Sequence, residues 1–291
     1  MSTLQRVRDQ GLDKFYTSEN FARHCVHQLF DRFPAEGFDL QVEPSAGAGS
    51  FLRQLSQNVD IVGLDIFPED SSVEEGDFFD FAPPPEKRDV VVVGNPPFGR
   101  GCSLAIRFFN HAAKWSKVIA FIVPRTFRRR SVQNKLNLEF HLVYDEEVPS
   151  QPCVFTPVMS AKCCFQIWER REDSRTVVRL PTTHTDWEFL PFGPKDAVGQ
   201  PTPPEGASFA IRAYGGRIGE IRCNNIQALR PKSWHWIRAK EESNVLIRRF
   251  SALDFSSSTD TARQNSMGRA DLVSLYQASF DETSPFPILD A

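Results

Sequence analysis

This chain has no run of about 18 apolar residues, which excludes a bilayer-spanning helix of the usual kind. The opening residues Met1-Ser2-Thr3-Leu4-Gln5-Arg6 lead into polar sequence without the apolar core of a secretory signal. A cytoplasmic protein is expected, or a nuclear one in a eukaryote. The six cysteines, at positions 25, 102, 153, 163, 164 and 223, form no Cys-x-x-Cys pair, so reduced structural thiols are expected and a disulfide scaffold is not. The six histidines show no ligand spacing with cysteines or carboxylates, and no metal is expected. There is no internal repeat, and no strong charge of one sign, since the net charge is −3.

With 291 residues and 41% hydrophobic content, the chain can form one α/β domain of typical size and a smaller second one. A helix is predicted over 19–33, capped by Thr17 or Ser18, with Phe21, Cys25, Leu29 and Phe33 on one face and Pro34 as the stop. Strands are predicted near 40–42, 60–64, 73–77, 89–94 and 118–123, and helices at 50–55 and 103–114. That alternation predicts a parallel sheet with helices on both faces. Apolar runs at 140–144 and 163–168 suit an antiparallel edge pair, and the domain boundary is expected in the polar sequence at 170–175.

Two turns carry the chemistry. Asn95-Pro96-Pro97-Phe98 closes the apolar run Val90-Val91-Val92-Val93-Gly94, at the carboxyl end of a buried strand, where open α/β sheets bind ligands. Two consecutive prolines fix φ and remove two backbone donors, so the nearby carbonyls are presented as acceptors. An Asn oxygen, such a carbonyl and an aromatic face suit a planar substrate bearing an amino or amide nitrogen. Upstream, Val42-Glu43-Pro44-Ser45-Ala46-Gly47-Ala48-Gly49-Ser50 reads as a strand end and a small-residue turn that a ligand can approach closely. It lacks both the spaced glycines of a dinucleotide fingerprint and the lysine of a phosphate loop, so a pyrophosphate is not the expected ligand.

In this order, the two turns resemble the motif pair of S-adenosylmethionine-dependent amino methyltransferases of the adenine-N6 type. Asp13-Lys14-Phe15-Tyr16-Thr17-Ser18 resembles the segment that precedes the cofactor loop in the gamma-order enzymes, Gly63-Leu64-Asp65-Ile66 their second strand, and Gly76-Asp77-Phe78 their third. The resemblance covers roughly residues 10–170. It implies a Rossmann-like class I methyltransferase domain with a seven-stranded, mostly parallel sheet over residues 1–172. The smaller region 173–291, expected to be β-rich, is placed by position as a target-recognition domain.

By the same resemblance, Phe15, Tyr16, Thr17, Glu43, Ser45, Ala46, Gly47, Gly49, Asp65, Ile66, Asp77, Phe78 and Asn95 bind S-adenosylmethionine. Asp65 is assigned to the ribose, and Asp77 with Phe78 to the adenine. The 22-residue step from Glu43 to Asp65 is close to the distance at which a Rossmann-like unit sets a carboxylate beside a ribose. Asn95, Pro96, Pro97 and Phe98 are the catalytic residues. The Pro152-Cys153 pair resembles the nucleophile of cytosine-C5 enzymes but lies well beyond the loop where such a cysteine would act, and direct transfer to nitrogen needs no covalent intermediate.

After the fifth predicted strand, Pro124-Arg125-Thr126-Phe127-Arg128-Arg129-Arg130 and nearby Lys135 gather five cations with no local anion. Arg125, Arg128, Arg129 and Arg130 are the candidate phosphate contacts. The second region is entered through Pro191–Gly206, rich in breakers, and strands are expected at 209–212, 217–222 and 234–237. Trp234 and Trp236 are expected to pack, and 251–269 is a polar loop before a helix at 269–280. DNA is the favoured substrate and RNA is open. The other readings are a protein glutamine methyltransferase, whose Asn-Pro-Pro turn holds a side-chain amide, and an inactive nucleic-acid-binding subunit. Any partner subunit, and the target sequence, stay undetermined at this stage.

Overall fold

A computed structural model describes residues 15–281. The opening hexapeptide, Asp13, Lys14 and the tail from Glu282 lie outside the described residues. The chain divides into two units, Met1–Val177 and Val178–Ala291, a few residues past the expected boundary.

The first unit is a seven-stranded sheet. Its strands, in chain order, are β2 (Leu40–Glu43), β3 (Asp60–Asp65), β4 (Glu74–Glu75), β5 (Val90–Gly94), β6 (Val118–Pro124), β7 (Phe140–Glu147) and β9 (Cys163–Arg170). In space they run β4-β3-β2-β5-β6-β9-β7. Every pairing from β4 to β6 is parallel, and β9 is antiparallel to both its neighbours. This is the Rossmann-like α/β class expected, with the antiparallel edge pair in place. A separate short ribbon joins β1 (Tyr16–Thr17) to β8 (Phe155–Thr156), with Tyr16 opposite Thr156.

Both faces of the sheet are covered, as the apolar strands β5 and β6 require. Val91 and Val93 face the side covered by α1 (Glu19–Phe30), which buries Phe21, Ala22, Cys25, Val26 and Leu29 at helical spacing. Val90 and Val92 face α2 (Ser103–Ala112), which buries Ala105, Phe108, Phe109 and Ala112. α1 stops at Phe30, short of the predicted end, and Pro34 opens a 3-10 turn. Ser18 holds the cap position, but its hydroxyl makes no cap bond.

Two predicted elements are shorter than expected. The helix at 50–55 is only a 3-10 turn, Leu52–Gln54. The buried Gln41 amide donates to the Ser56 carbonyl at 2.8 Å and accepts from the Ser56 amide at 3.0 Å, which ends the turn there. The strand predicted over 73–77 pairs only at Glu74–Glu75, since Asp77 leaves the ladder to cap the 3-10 turn Phe78–Asp80.

The second unit is a four-stranded antiparallel sheet, ordered β10 (Trp187–Phe189), β13 (Trp234–Ala239), β11 (Phe209–Arg212) and β12 (Ile221–Arg222). α3 (Ser243–Ser251) and α4 (Arg269–Phe280) supply Leu246, Phe250, Leu272 and Tyr276 to the core on one face, with Trp187, Phe209, Ile211 and Ile237 from the strands. Trp234 and Trp236 are packed on the other face with Leu190 and Ala210. Pro191–Gly206 is therefore a loop inside this unit and not its entrance, because β10 precedes it and pairs with β13. The strand predicted over 217–222 shrinks to Ile221–Arg222, as Arg217 and Gly219 have φ of +56° and +86°, which pairing cannot use.

Candidate functional site

Glu43 and Gly94 end two neighbouring parallel strands, β2 and β5. The chain leaves β2 toward β3 on one side and leaves β5 toward β6 on the other. The crevice outside two such strand ends is the switch point at which open α/β sheets bind ligands. Both sequence-predicted turns sit on it.

The first turn is tied down by backbone bonds. Gly47 has φ of +51°, and a Cβ there would lie 3.1 Å from the Tyr16 ring. Its N–H donates to Asp65 Oδ2 at 2.9 Å, and its carbonyl accepts from the Glu69 amide at 3.0 Å. Asp65 Oδ1 accepts from the Phe67 amide at 2.8 Å. Arg53 Nη1 donates to the Ala48 carbonyl at 2.7 Å, while its Nη2 pairs with Glu19 at 2.7 Å. The Tyr16 hydroxyl donates to Glu69, and burial together with the Glu69 and Asp65 carboxylates pushes the phenol pKa up.

Glu43 is only 2% exposed and accepts the Leu52 amide at 2.7 Å. Burial, with Asp65 nearby, raises its pKa to about 8, against the pull of the Leu52 and Phe51 amides. Gly94 makes room for it, since a Cβ at that position would sit 3.3 Å from Glu43 Cγ.

Asn95 is held at three points. Its Nδ2 donates to the Phe15 carbonyl at 3.2 Å and to Thr17 Oγ1 at 3.3 Å, and its own carbonyl accepts from the Ser45 hydroxyl at 3.2 Å. Asn95 Oδ1 and the Pro96 carbonyl accept no hydrogen bond among the described residues. The Phe98 carbonyl takes the Leu104 and Ala105 amides, both at 3.2 Å, which fixes the turn to the start of α2. The Phe98 ring is half-buried and touches the core on both sides of the sheet.

Tyr16 and Asp65 thus lie against Gly47, Phe15 and Thr17 hold the Asn95 amide, and Ser45 bonds the Asn95 carbonyl, while Glu43 and Ala46 are buried and Ile66 is exposed. Two residues of the third strand sit differently. Asp77 is exposed and accepts the Phe79 amide at 2.9 Å. The Phe78 ring is 2% exposed and stacks on Phe108 at 5.2 Å, so it belongs to the core beneath the loop and presents no face to a ligand.

The arginines after β6 also differ from the expectation of a segment free of anions. Arg128 pairs with Asp145 and, at 3.2 Å, with Glu147, and Arg125 pairs with Glu147 at 2.9 Å. Asp145 also accepts Gln166 Nε2 at 2.6 Å. Arg130 donates to Gln133 at 3.1 Å. The missing anions are on β7, and the acidic run Asp145-Glu146-Glu147 that closes this strand was the available signal. Nothing local in the sequence marked Thr17 as a partner of Asn95. Among the described residues, no group of three His, Cys, Asp or Glu is placed to hold a metal, and no helix is long and apolar enough to cross a membrane.

No protein-family model matches this chain, and no curated protein matches it. Among solved structures it is similar to the 23S rRNA methyltransferase ErmE, at 18% identity over 55% of this chain and 71% of that one, with a TM-score of 0.41. It is also similar to magnesium protoporphyrin IX methyltransferase from Synechocystis PCC 6803, solved with bound SAM, at 11% identity over 53% and 79% with a TM-score of 0.36. A third similarity is to the type I restriction-modification methyltransferase subunit from Streptococcus thermophilus, at 15% identity over 55% and 46% with a TM-score of 0.39.

Proposed function

We propose that this protein is an S-adenosylmethionine-dependent methyltransferase that acts on the N6 amino group of adenine in nucleic acid, with DNA as the first acceptor to test. The observation that carries the reading is the pair of unspent acceptors, Asn95 Oδ1 and the Pro96 carbonyl, on a rigid turn beside a glycine turn at the sheet's switch point.

The residues around the crevice fit such a cofactor. Gly47 leaves backbone uncovered where a side chain would meet Tyr16. The Gly47 and Phe67 amides orient the Asp65 carboxylate beside the glycine turn, where it is the candidate acceptor for ribose hydroxyls. Glu43, Ser45, Ala46, Gly49, Ile66 and Asp77 complete the set, whereas the Phe78 ring, packed on Phe108, serves only as the floor of the loop. Bound S-adenosylmethionine supplies a methyl group activated by a sulfonium.

The rest is the work of the chain. The adenine amine is a weak nucleophile because its lone pair is delocalised into the ring. Asn95 Oδ1 and the Pro96 carbonyl accept its two hydrogens, which favours pyramidal nitrogen and aims the lone pair. The exposed part of the Phe98 ring offers a stacking surface to a base drawn out of the duplex. Catalysis then rests on positioning and fixed dipoles more than on proton transfer. The unit Val178–Ala291 is proposed as the target-recognition domain. Arg129 and Arg130 are proposed as phosphate contacts, and Arg125 and Arg128 are assigned to the acids of β7.

The test is transfer of tritiated methyl from S-adenosylmethionine to duplex DNA, single-stranded DNA, total RNA and release-factor protein, with product nucleosides identified by mass. N6-methyladenine that disappears in Asn95→Ala, with cofactor affinity retained, supports the reading. Label confined to the protein acceptor favours glutamine transfer, and a fully active Asn95→Ala refutes the role of the turn.

A further inference from the structure

We infer that Thr17 is a positioning residue whose hydroxyl, together with the Phe15 carbonyl, fixes the orientation of the Asn95 amide. The inference rests on the reading of Asn95 given above and goes beyond it, because it moves Thr17 from the cofactor to the acceptor side of the crevice.

The chemistry of the contact sets the direction. A backbone carbonyl can only accept, so the atom of Asn95 that faces the Phe15 oxygen at 3.2 Å must be the nitrogen. Flipping the amide would set two acceptors against each other. Thr17 Oγ1, 3.3 Å away, takes the same Nδ2 group. With its amino group engaged by Phe15 and Thr17, the planar amide has its oxygen left, on the side away from them. Thr17 is 5% exposed, which leaves its hydroxyl little access to solvent. β1 is itself held by β8, with Thr17 opposite Phe155, and by the Ser18 amide donating to the Val154 carbonyl at 2.8 Å. A loose Asn amide samples both orientations, and only one of them accepts a hydrogen from an amine.

The decisive variant is Thr17→Val, which keeps shape and removes the hydroxyl, with Thr17→Ser as the conservative partner. In protein labelled with ¹⁵N at asparagine, the Asn95 side-chain amide is assigned as the resonance pair lost in Asn95→Ala. Thr17→Val is expected to move that pair, and Thr17→Ser to leave it near its original position. In methyl transfer, Thr17→Val is expected to lower kcat by about 10- to 100-fold, the range for a misplaced reacting group, with the dissociation constant of S-adenosylmethionine within about twofold of the original. Thr17→Ser is expected to restore most of kcat. An unmoved Asn95 amide overturns the inference, as does a Thr17→Val variant that weakens cofactor binding while kcat stays unchanged. If no acceptor is methylated yet the amide pair moves as described, the contact stands and the adenine reading falls.

Discussion

Replacing Glu43 with Gln tests the electrostatics of the crevice without any substrate. The Glu43 carboxyl is buried at the end of β2, its pKa rises from 4.5 to about 8, and the main cause is loss of solvation. An acid whose folded pKa lies above its unfolded value stabilises the fold fully below the unfolded pKa. That contribution is lost as pH rises toward the folded one. At about 1.36 kcal/mol per unit of difference, the loss between pH 4.5 and 8 is about 5 kcal/mol at most, and relaxation around the ion brings it to about 3–5 kcal/mol. Gln keeps the oxygen that accepts the Leu52 amide and cannot ionise, so it stands in for the protonated acid. Glu43→Gln should therefore match the original protein near pH 5 and exceed it by several kcal/mol at pH 9. Urea unfolding at pH 5, 7 and 9, with the first unit followed through amide resonances of Val90–Val93, measures this. Other titrating groups cancel in the comparison. A stability difference that is the same at all three pH values would refute the buried-acid argument.

His235 in the second unit gives the opposite slope. It is half-buried with a 2.7 Å bond to the Met267 carbonyl, and loss of solvation lowers its pKa to about 4. Its contribution is complete above about pH 6.5 and lost as pH falls toward 4. His235→Gln, which can still donate to that carbonyl, should remove about 3 kcal/mol of the acid-induced loss, read from the second unit's unfolding at pH 4 and 7. Arg128→Met should destabilise the first unit by about 1–3 kcal/mol by stranding Asp145, while leaving the salt dependence of nucleic-acid binding nearly unchanged. The double change Arg129→Ala, Arg130→Ala should instead flatten that salt dependence by about two charges. A reversed pattern would return phosphate binding to Arg128.

Much of this was legible because short-range pattern and sheet topology agree. Five consecutive apolar positions ending in Asn-Pro-Pro-Phe have few homes other than a central parallel strand and the turn after it, and β5 is that strand. The glycine turn was legible because only small residues allow such a backbone. What stayed hidden is long-range pairing. Thr17 meets Asn95 across 78 residues with nothing local to announce it, and Arg128 meets Asp145 across 17, where the acidic run 145–147 is a signal that does not say which arginine it takes. Phe78 was misplaced for a related reason, since adjacent aromatics at 78 and 79 do not say which ring turns inward. β10 and α3 were missed because a three-residue strand amid prolines and a nine-residue helix with adjacent arginines give little periodicity.

The β1–β8 ribbon has a consequence for the order of synthesis. Thr156 leaves the ribosome 140 residues after Tyr16, yet the two are opposite each other. The glycine turn and β5 can be in place well before then, whereas the clasp on Asn95 closes only when the chain has grown past residue 156. The growing protein can form its glycine turn early and holds the Asn95 amide in place only when the first unit is nearly whole.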